Sequence, residues 1–171
     1  MEQITTTKVS LKWGLIAGIA SIVFMTILYV TGAWKITWLT SITYLILVGA
    51  FVLSMKEYKE SNNGYMTYGQ GLGIGMFISA ITGILSAGYG NIYMQFIDTT
   101  FRSQMLDFQV EKLEEQGLPD ESIEKAIETF EKFSSPGLTF LFGVIGVLFV
   151  GFLLSLVVSA VMKKNKPALD Y

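Results

Sequence analysis

Four long apolar blocks, none interrupted by a charged side chain, constrain this chain more than any other feature. They cover about 13–33, 38–55, 68–97 and 136–162. A run of roughly 18 or more predominantly apolar residues is long enough to cross a bilayer as a helix. Lipid offers no water to backbone N–H and C=O groups, so each block must satisfy its own, which a helix does. Membrane strands would alternate apolar and polar residues, and LILVGAFVL (45–53) does not. The fold expected is an all-α membrane protein of one domain (1–171): a four-transmembrane-helix bundle with an extramembrane amphipathic helical hairpin at 98–135, between helices 3 and 4.

Composition agrees. Of 171 residues 51% are hydrophobic and 15% charged, where a soluble domain carries about a quarter charged. Lys8 and Lys12 ahead of the first block resemble the basic start of a signal peptide. The apolar run exceeds the ~7–15 residues of such a peptide and lacks a closing A-x-A site, so an uncleaved anchor is the better reading. Lysines and arginines near span ends set orientation. Lys8, Lys12, Lys56, Lys59, Lys163, Lys164 and Lys166 fall on one side, and Lys35, Arg102, Lys112, Lys125 and Lys132 on the other. The first side is expected to be cytoplasmic and to hold both termini.

The chain has no cysteine and no histidine. Thiolate nucleophiles, imidazole bases and His/Cys zinc sites are therefore excluded. An enzyme would have only carboxylates, lysines, tyrosines and hydroxyls, and the spans carry no ionisable group of the kind that marks proton or ion paths. No enzymatic activity, cofactor, metal or nucleic-acid partner is expected.

The connections are short except for one. Trp34-Lys35-Ile36-Thr37, with Trp38 after it, makes the first two spans an antiparallel pair with tryptophans at the headgroup level. KEYKESNNGYMT is expected to extend the second helix by a turn or two before Ser61-Asn62-Asn63-Gly64 ends it. The segment 98–135 carries ten acids and four bases. Phe101, Met105 and Phe108 recur at helical spacing beside Leu106, Val110 and Leu113, and so do Ile123, Ile127 and Phe130. Gly117 stands where a helix C-terminal glycine belongs, and Asp120 is a candidate N-cap. Either the stripes pack on each other or on the span ends, or they form a periplasmic docking surface.

The third block opens GQGLGIGMFISAITGILSAGYGN (69–91). Its glycines do not match the G-x-G-x-x-G nucleotide fingerprint, and no Walker lysine follows. Gly71, Gly75, Ser79, Gly83 and Ala87 instead recur every four residues, a small-residue ridge that lets a second helix approach closely. Four residues turn a helix by about 400°, so the ridge drifts ~40° per step and a crossing partner should meet about three of its positions. That partner is either another span of this chain or a second molecule. Gly14 and Gly18, and Gly151, Ser155 and Ser159, make shorter ridges. A shift of 57 residues aligns Gly14, Leu15, Gly18, Ile27 and Leu28 with Gly71, Leu72, Gly75, Ile84 and Leu85, a trace of duplicated helical pairs. At the far end of the block Asn91, Tyr93, Gln95 and Asp98 either line a small polar pocket or cap the helix.

The chain resembles an uncharacterised family of four-span Bacteroidota membrane proteins, catalogued as domain of unknown function 4199. The resemblance rests on Y-x-x-Y-G-Q-G (Tyr65 to Gly71), on LEEQGLPDESIEKAIETF and on the S-S-P-G that follows. It implies an inner-membrane protein of Gram-negative bacteria with the acidic segment in the periplasm, and an accessory role beside envelope or glycosyl-transfer enzymes. The leading expectation is a non-enzymatic accessory or scaffold protein, held in the lipid bilayer and binding a protein partner or another copy of itself through its transmembrane helices. The alternative is a small transporter or channel for a neutral or lipidic solute.

Overall fold

The computed structural model describes residues 5–166; the extreme ends, including the terminal residues of the topology expectation, lie outside them. Among the described residues the chain forms six α-helices: α1 (Thr6–Thr31), α2 (Thr37–Ser61), α3 (Tyr68–Ile92), α4 (Phe101–Glu115), α5 (Asp120–Phe133) and α6 (Pro136–Met162). Four helical stretches, Thr6–Thr31, Thr37–Ser61, Tyr68–Ile97 and Pro136–Met162, are long and apolar enough to cross a membrane.

Local chemistry explains the boundaries. The Thr5 hydroxyl accepts from Lys8 N at 3.2 Å, so α1 starts a full two turns before the apolar block. It ends at Gly32, whose φ of +72° leaves the helical region. A 3-10 turn, Ala33–Lys35, leads into α2, which runs past Met55 to Ser61. The start of α3 is a capping box: Thr67 N donates to Gln70 Oε1 at 2.9 Å, and Gln70 N donates to Thr67 Oγ1 at 3.3 Å. This gives the Y-G-Q-G lead-in a structural task. Beyond Ile92, α3 widens into a π turn, Tyr93–Ile97, closed by Asp98 N donating to Tyr93 O at 2.8 Å.

After α4, Gly117 (φ +70°) donates to Glu114 O and Leu118 N reaches Leu113 O, the paired bonds of a Schellman turn. Asp120 is not the N-cap of α5. Pro119 holds that position without a side-chain bond, its carbonyl accepting from Ser122 and Ile123. Asp120 and Glu121 occupy the first turn instead, where negative charge suits the helix dipole. Pro136 opens α6, a place where its missing N–H has no intrahelical bond to lose.

The chain divides into two compact units, residues 1–86 with 144–171, and residues 87–143. In the first, the dense core includes Val9, Phe51, Met55, Met66, Ile74 and Ile78, each nearly or fully buried. These residues come from one end of the helices, where polar fastenings also gather. Lys12 Nζ donates to both Glu57 oxygens at 3.0 and 2.8 Å, and Trp13 Nε1 donates to Glu57 Oε2 at 2.7 Å, tying α1 to α2. Lys59 Nζ donates to Met162 O at 3.1 Å, an end of α6 that needs donors. Met66 and Lys164 exchange two backbone bonds of 2.9 and 2.8 Å. All four long helices are thus secured at this end.

In the second unit, the buried Tyr93 packs against the edge of Phe101 with ring centres 5.5 Å apart. Phe133 meets Phe142 in the same edge-on manner at 5.7 Å. Phe101 and Ile123 are the buried members of the apolar stripes on α4 and α5. Glu121 and Lys125 form a solvated pair at 2.7 Å.

Candidate functional site

The α3 ridge faces α6 of the same chain. A methyl group at Gly71 would lie 2.9 Å from Ser159 Oγ, and one at Gly83 would lie 3.3 Å from Val147 Cβ. One at Gly75 would overlap Ser155 Cβ, and one at Gly151 would lie 2.6 Å from Ser79 Cβ. Each step of four forward on α3 is matched by a step of four backward on α6, so the helices run antiparallel with small residues on both surfaces. Within this unit four ridge positions are engaged rather than three. A repeat of four exceeds 3.6, and two such ridges stay in register only when the helices wind right-handedly about each other. In the second unit Ala87 Cβ sits 3.0 Å from the place a Cβ at Gly143 would take.

The shorter ridge on α1 is used differently. Gly14 and Gly18 form notches filled by Ile81 and Leu85 of α3, which would meet an added Cβ at 2.8 and 2.5 Å. Gly14 and Gly71, aligned by the 57-residue shift, therefore face unlike partners. These glycines serve close approach, and their surfaces are occupied within the chain.

Asn91, Tyr93, Gln95 and Asp98 are spent on local bonds and packing. Asn91 Nδ2 donates to Ala87 O at 3.2 Å, and Gln95 Nε2 donates to Asn91 O at 3.4 Å. Asp98 Oδ1 accepts from the Thr100 N–H and hydroxyl at 3.0 and 2.7 Å, shaping the start of α4. Tyr93 lies in the aromatic cluster described above. The second unit has a different cavity, about 360 Å³, walled by Met94, Met105, Phe130, Phe133 and Phe142 with Arg102 at its side. It is apolar, and the Ser134 and Thr139 hydroxyls on it donate to the carbonyls of Phe130 and Ser135.

A concentration of hydroxyl side chains on the apolar helices lies in the first unit, beside the core residue Leu47. A cavity of about 390 Å³ is lined by Ser21, Met25, Thr37, Thr40, Ser41, Thr43, Tyr44, Leu47, Thr82, Ser86 and Val147. Eight of these carry hydroxyls and none carries a charge. From Thr37 to Leu47 the lining follows α2 for about 15 Å, half of a hydrocarbon core of about 30 Å. Several hydroxyls already donate: Thr40 and Ser41 to Thr37 O at 2.8 and 3.0 Å, Thr82 to Gly14 O across helices at 3.4 Å. Ser86 Oγ is buried and has no partner.

This site is not visible from spacing, because its residues come from α1, α2, α3 and α6 and share no period. One local trace exists: TWLTSITY, 37–44, holds five hydroxyls in eight residues. Taken singly, Thr40 and Ser41 are helix hydroxyls that bond back to their own backbone, as Ser10, Thr26 and Ser79 do here.

Among the described residues no group of three or more acidic side chains is placed to hold a metal ion. No curated protein and no solved structure matches the chain. The model of one family, described as Protein of unknown function (DUF4199), matches residues 12–164, from the end of α1 that carries the Glu57 fastening to the Met66–Lys164 bridge. With nearly its whole length matched, this chain belongs to that family.

Proposed function

We propose that the protein is a non-enzymatic, multi-pass protein of the bacterial inner membrane that binds a neutral amphiphilic solute in the hydroxyl-lined cavity, as a small carrier or lipid-binding subunit. Eight hydroxyl side chains and no charge along a cavity with an otherwise apolar lining support this reading. Hydroxyls facing hydrocarbon without partners are unfavourable, so such a cavity favours water or a ligand over lipid tails. A charged ligand would meet no counter-ion there and would lose its hydration. Thr43→Trp places a large ring in the cavity. The expected result is a loss of the lipids or small molecules that co-purify with the wild-type chain from mild detergent, identified by mass spectrometry. A wild type that carries nothing, or a variant that carries the same set, would count against the reading.

A second reading is an accessory or scaffold role in which α4, the Gln116–Pro119 turn and α5 form an extramembrane hairpin that docks a partner protein in the periplasm. It draws support from the acidic surface of 98–135 and from Leu118 and Phe133, 39% and 51% exposed. The topology it requires has both chain ends in the cytoplasm. Because the chain has no cysteine, Glu124→Cys creates a single thiol. A membrane-impermeant thiol-to-amine crosslinker added to spheroplasts should give one discrete heavier adduct. An unlabelled thiol would sink the orientation, and labelling without an adduct would sink the partner.

A further inference from the structure

The cavity wall states which side of the hydrogen bond its ligand must supply. A serine or threonine hydroxyl has one proton to give and two lone pairs to offer. Thr40 and Ser41 have both given theirs to the Thr37 carbonyl, and Thr82 has given its own to Gly14 O. What these side chains keep for a ligand is acceptor capacity alone. Lysine and arginine, which would supply fixed donors, are absent from the lining, as are the carboxylates that would hold a cation. Against Thr40, Ser41 and Thr82, a ligand with only acceptors, such as a quinone, ester or ether, would set lone pairs against lone pairs and leave these three as they are when empty. A ligand bearing hydroxyl or amide protons completes them.

The remaining lining sets the rest of the ligand. Met25, Leu47 and Val147 are apolar. At about 30 Å³ per water-sized group, 390 Å³ holds about a dozen such groups. That suits the polar head and first carbons of a lipid better than a complete two-chain molecule.

Resting on the binding role proposed above, we infer that the cavity selects a neutral amphiphile whose head donates hydrogen bonds, of the alcohol or polyol class, with Thr40, Ser41 and Thr82 as its acceptors. Ser86 is a specificity-determining residue in the same wall. It is the buried hydroxyl there without a partner, so it keeps both a donor and an acceptor to offer. Ser159 Oγ also lacks a partner, but it is packed against Gly71 and is not among the residues lining this cavity, which makes it the natural comparison.

The test uses the full chain in nanodiscs of phosphatidylcholine, whose headgroup has no hydrogen-bond donor. Native mass spectrometry reads occupancy by a monoacylglycerol, by the same molecule with both hydroxyls methylated, and by free glycerol. The monoacylglycerol should bind about tenfold more tightly than its dimethyl ether, the worth of one or two hydrogen bonds. Thr40→Val with Ser41→Ala should bring the two within about threefold of each other, while helicity and thermal midpoint stay unchanged, since both side chains bond only within their own helix. Ser86→Ala should weaken monoacylglycerol binding without lowering the thermal midpoint of the empty protein; Ser159→Ala should leave binding alone. Equal binding of parent and ether overturns this inference and leaves the proposed binding role standing. Glycerol binding as tightly as the lipid overturns the amphiphile assignment. Occupancy by none of the three overturns the inference and the binding role together.

Discussion

Gly75→Ala should destabilise the protein by about 1–3 kcal/mol, the usual range for overpacking a filled site. The sign is not trivial, because alanine is the better helix former by about 1 kcal/mol. Packing wins here, since the added Cβ would overlap Ser155 Cβ, and Ser155 Cα stands 3.5 Å away, leaving no flexible side-chain end to yield. The α3–α6 contact must open, and contact is what holds helices together in lipid. Gly73→Ala is the control: nothing lies within 4 Å of a Cβ there, so propensity alone acts and the midpoint should rise. Ser155→Gly in the Gly75→Ala background should recover most of the loss, because it removes the atom that clashes. Thermal unfolding in nanodiscs, followed by tryptophan fluorescence, reads all three. A Gly75→Ala protein as stable as wild type, or a double variant no better than the single one, would refute the close contact.

Glu57→Ala should cost about 1.5–3 kcal/mol, the range for hydrogen bonds to a charged group. The carboxylate is 27% exposed and accepts from Lys12 and from the partly buried Trp13 indole. The lysine is 54% exposed and finds water once released, so its share is small. Most of the loss belongs to the indole N–H, which is left near the membrane boundary without its acceptor. Trp13→Phe and Glu57→Ala should therefore be non-additive by about 1 kcal/mol in a double-mutant cycle, whereas Lys12→Met and Glu57→Ala should be nearly additive. A larger coupling in the lysine cycle than in the tryptophan cycle would show that the ion pair, and not the indole bond, fastens α1 to α2.

Much of the architecture is legible in the order of the residues. The four spans follow from length and from the exclusion of charge, because lipid leaves a backbone no alternative partner. Gly117 is recognisable as a helix end because a left-handed residue after a polar helix is most easily a glycine. The neighbouring cap is not: Asp120 has the right side chain but stands one residue too late, and proline at 119 presents its carbonyl to the helix whatever follows. The ridge on α3 is legible as a packing surface, yet its partner is hidden. Gly71 to Gly83 would accept any helix of small residues, and only the pairing with Gly151, Ser155 and Ser159 shows which one arrives. More positions engage than a straight partner would allow, because both helices can wind to follow the drifting ridge.

By itself, then, the sequence determined where helices form and which surfaces they can bring close, since both depend on residues a few positions apart along one helix. The tertiary structure alone decided where in the first unit the helices pack densely and where they leave room to spare. A cavity is a property of surfaces that fail to meet. Ser21, Thr40, Tyr44, Thr82 and Ser86 are ordinary hydroxyls on separate helices until those helices are placed, and only then do they line one cavity.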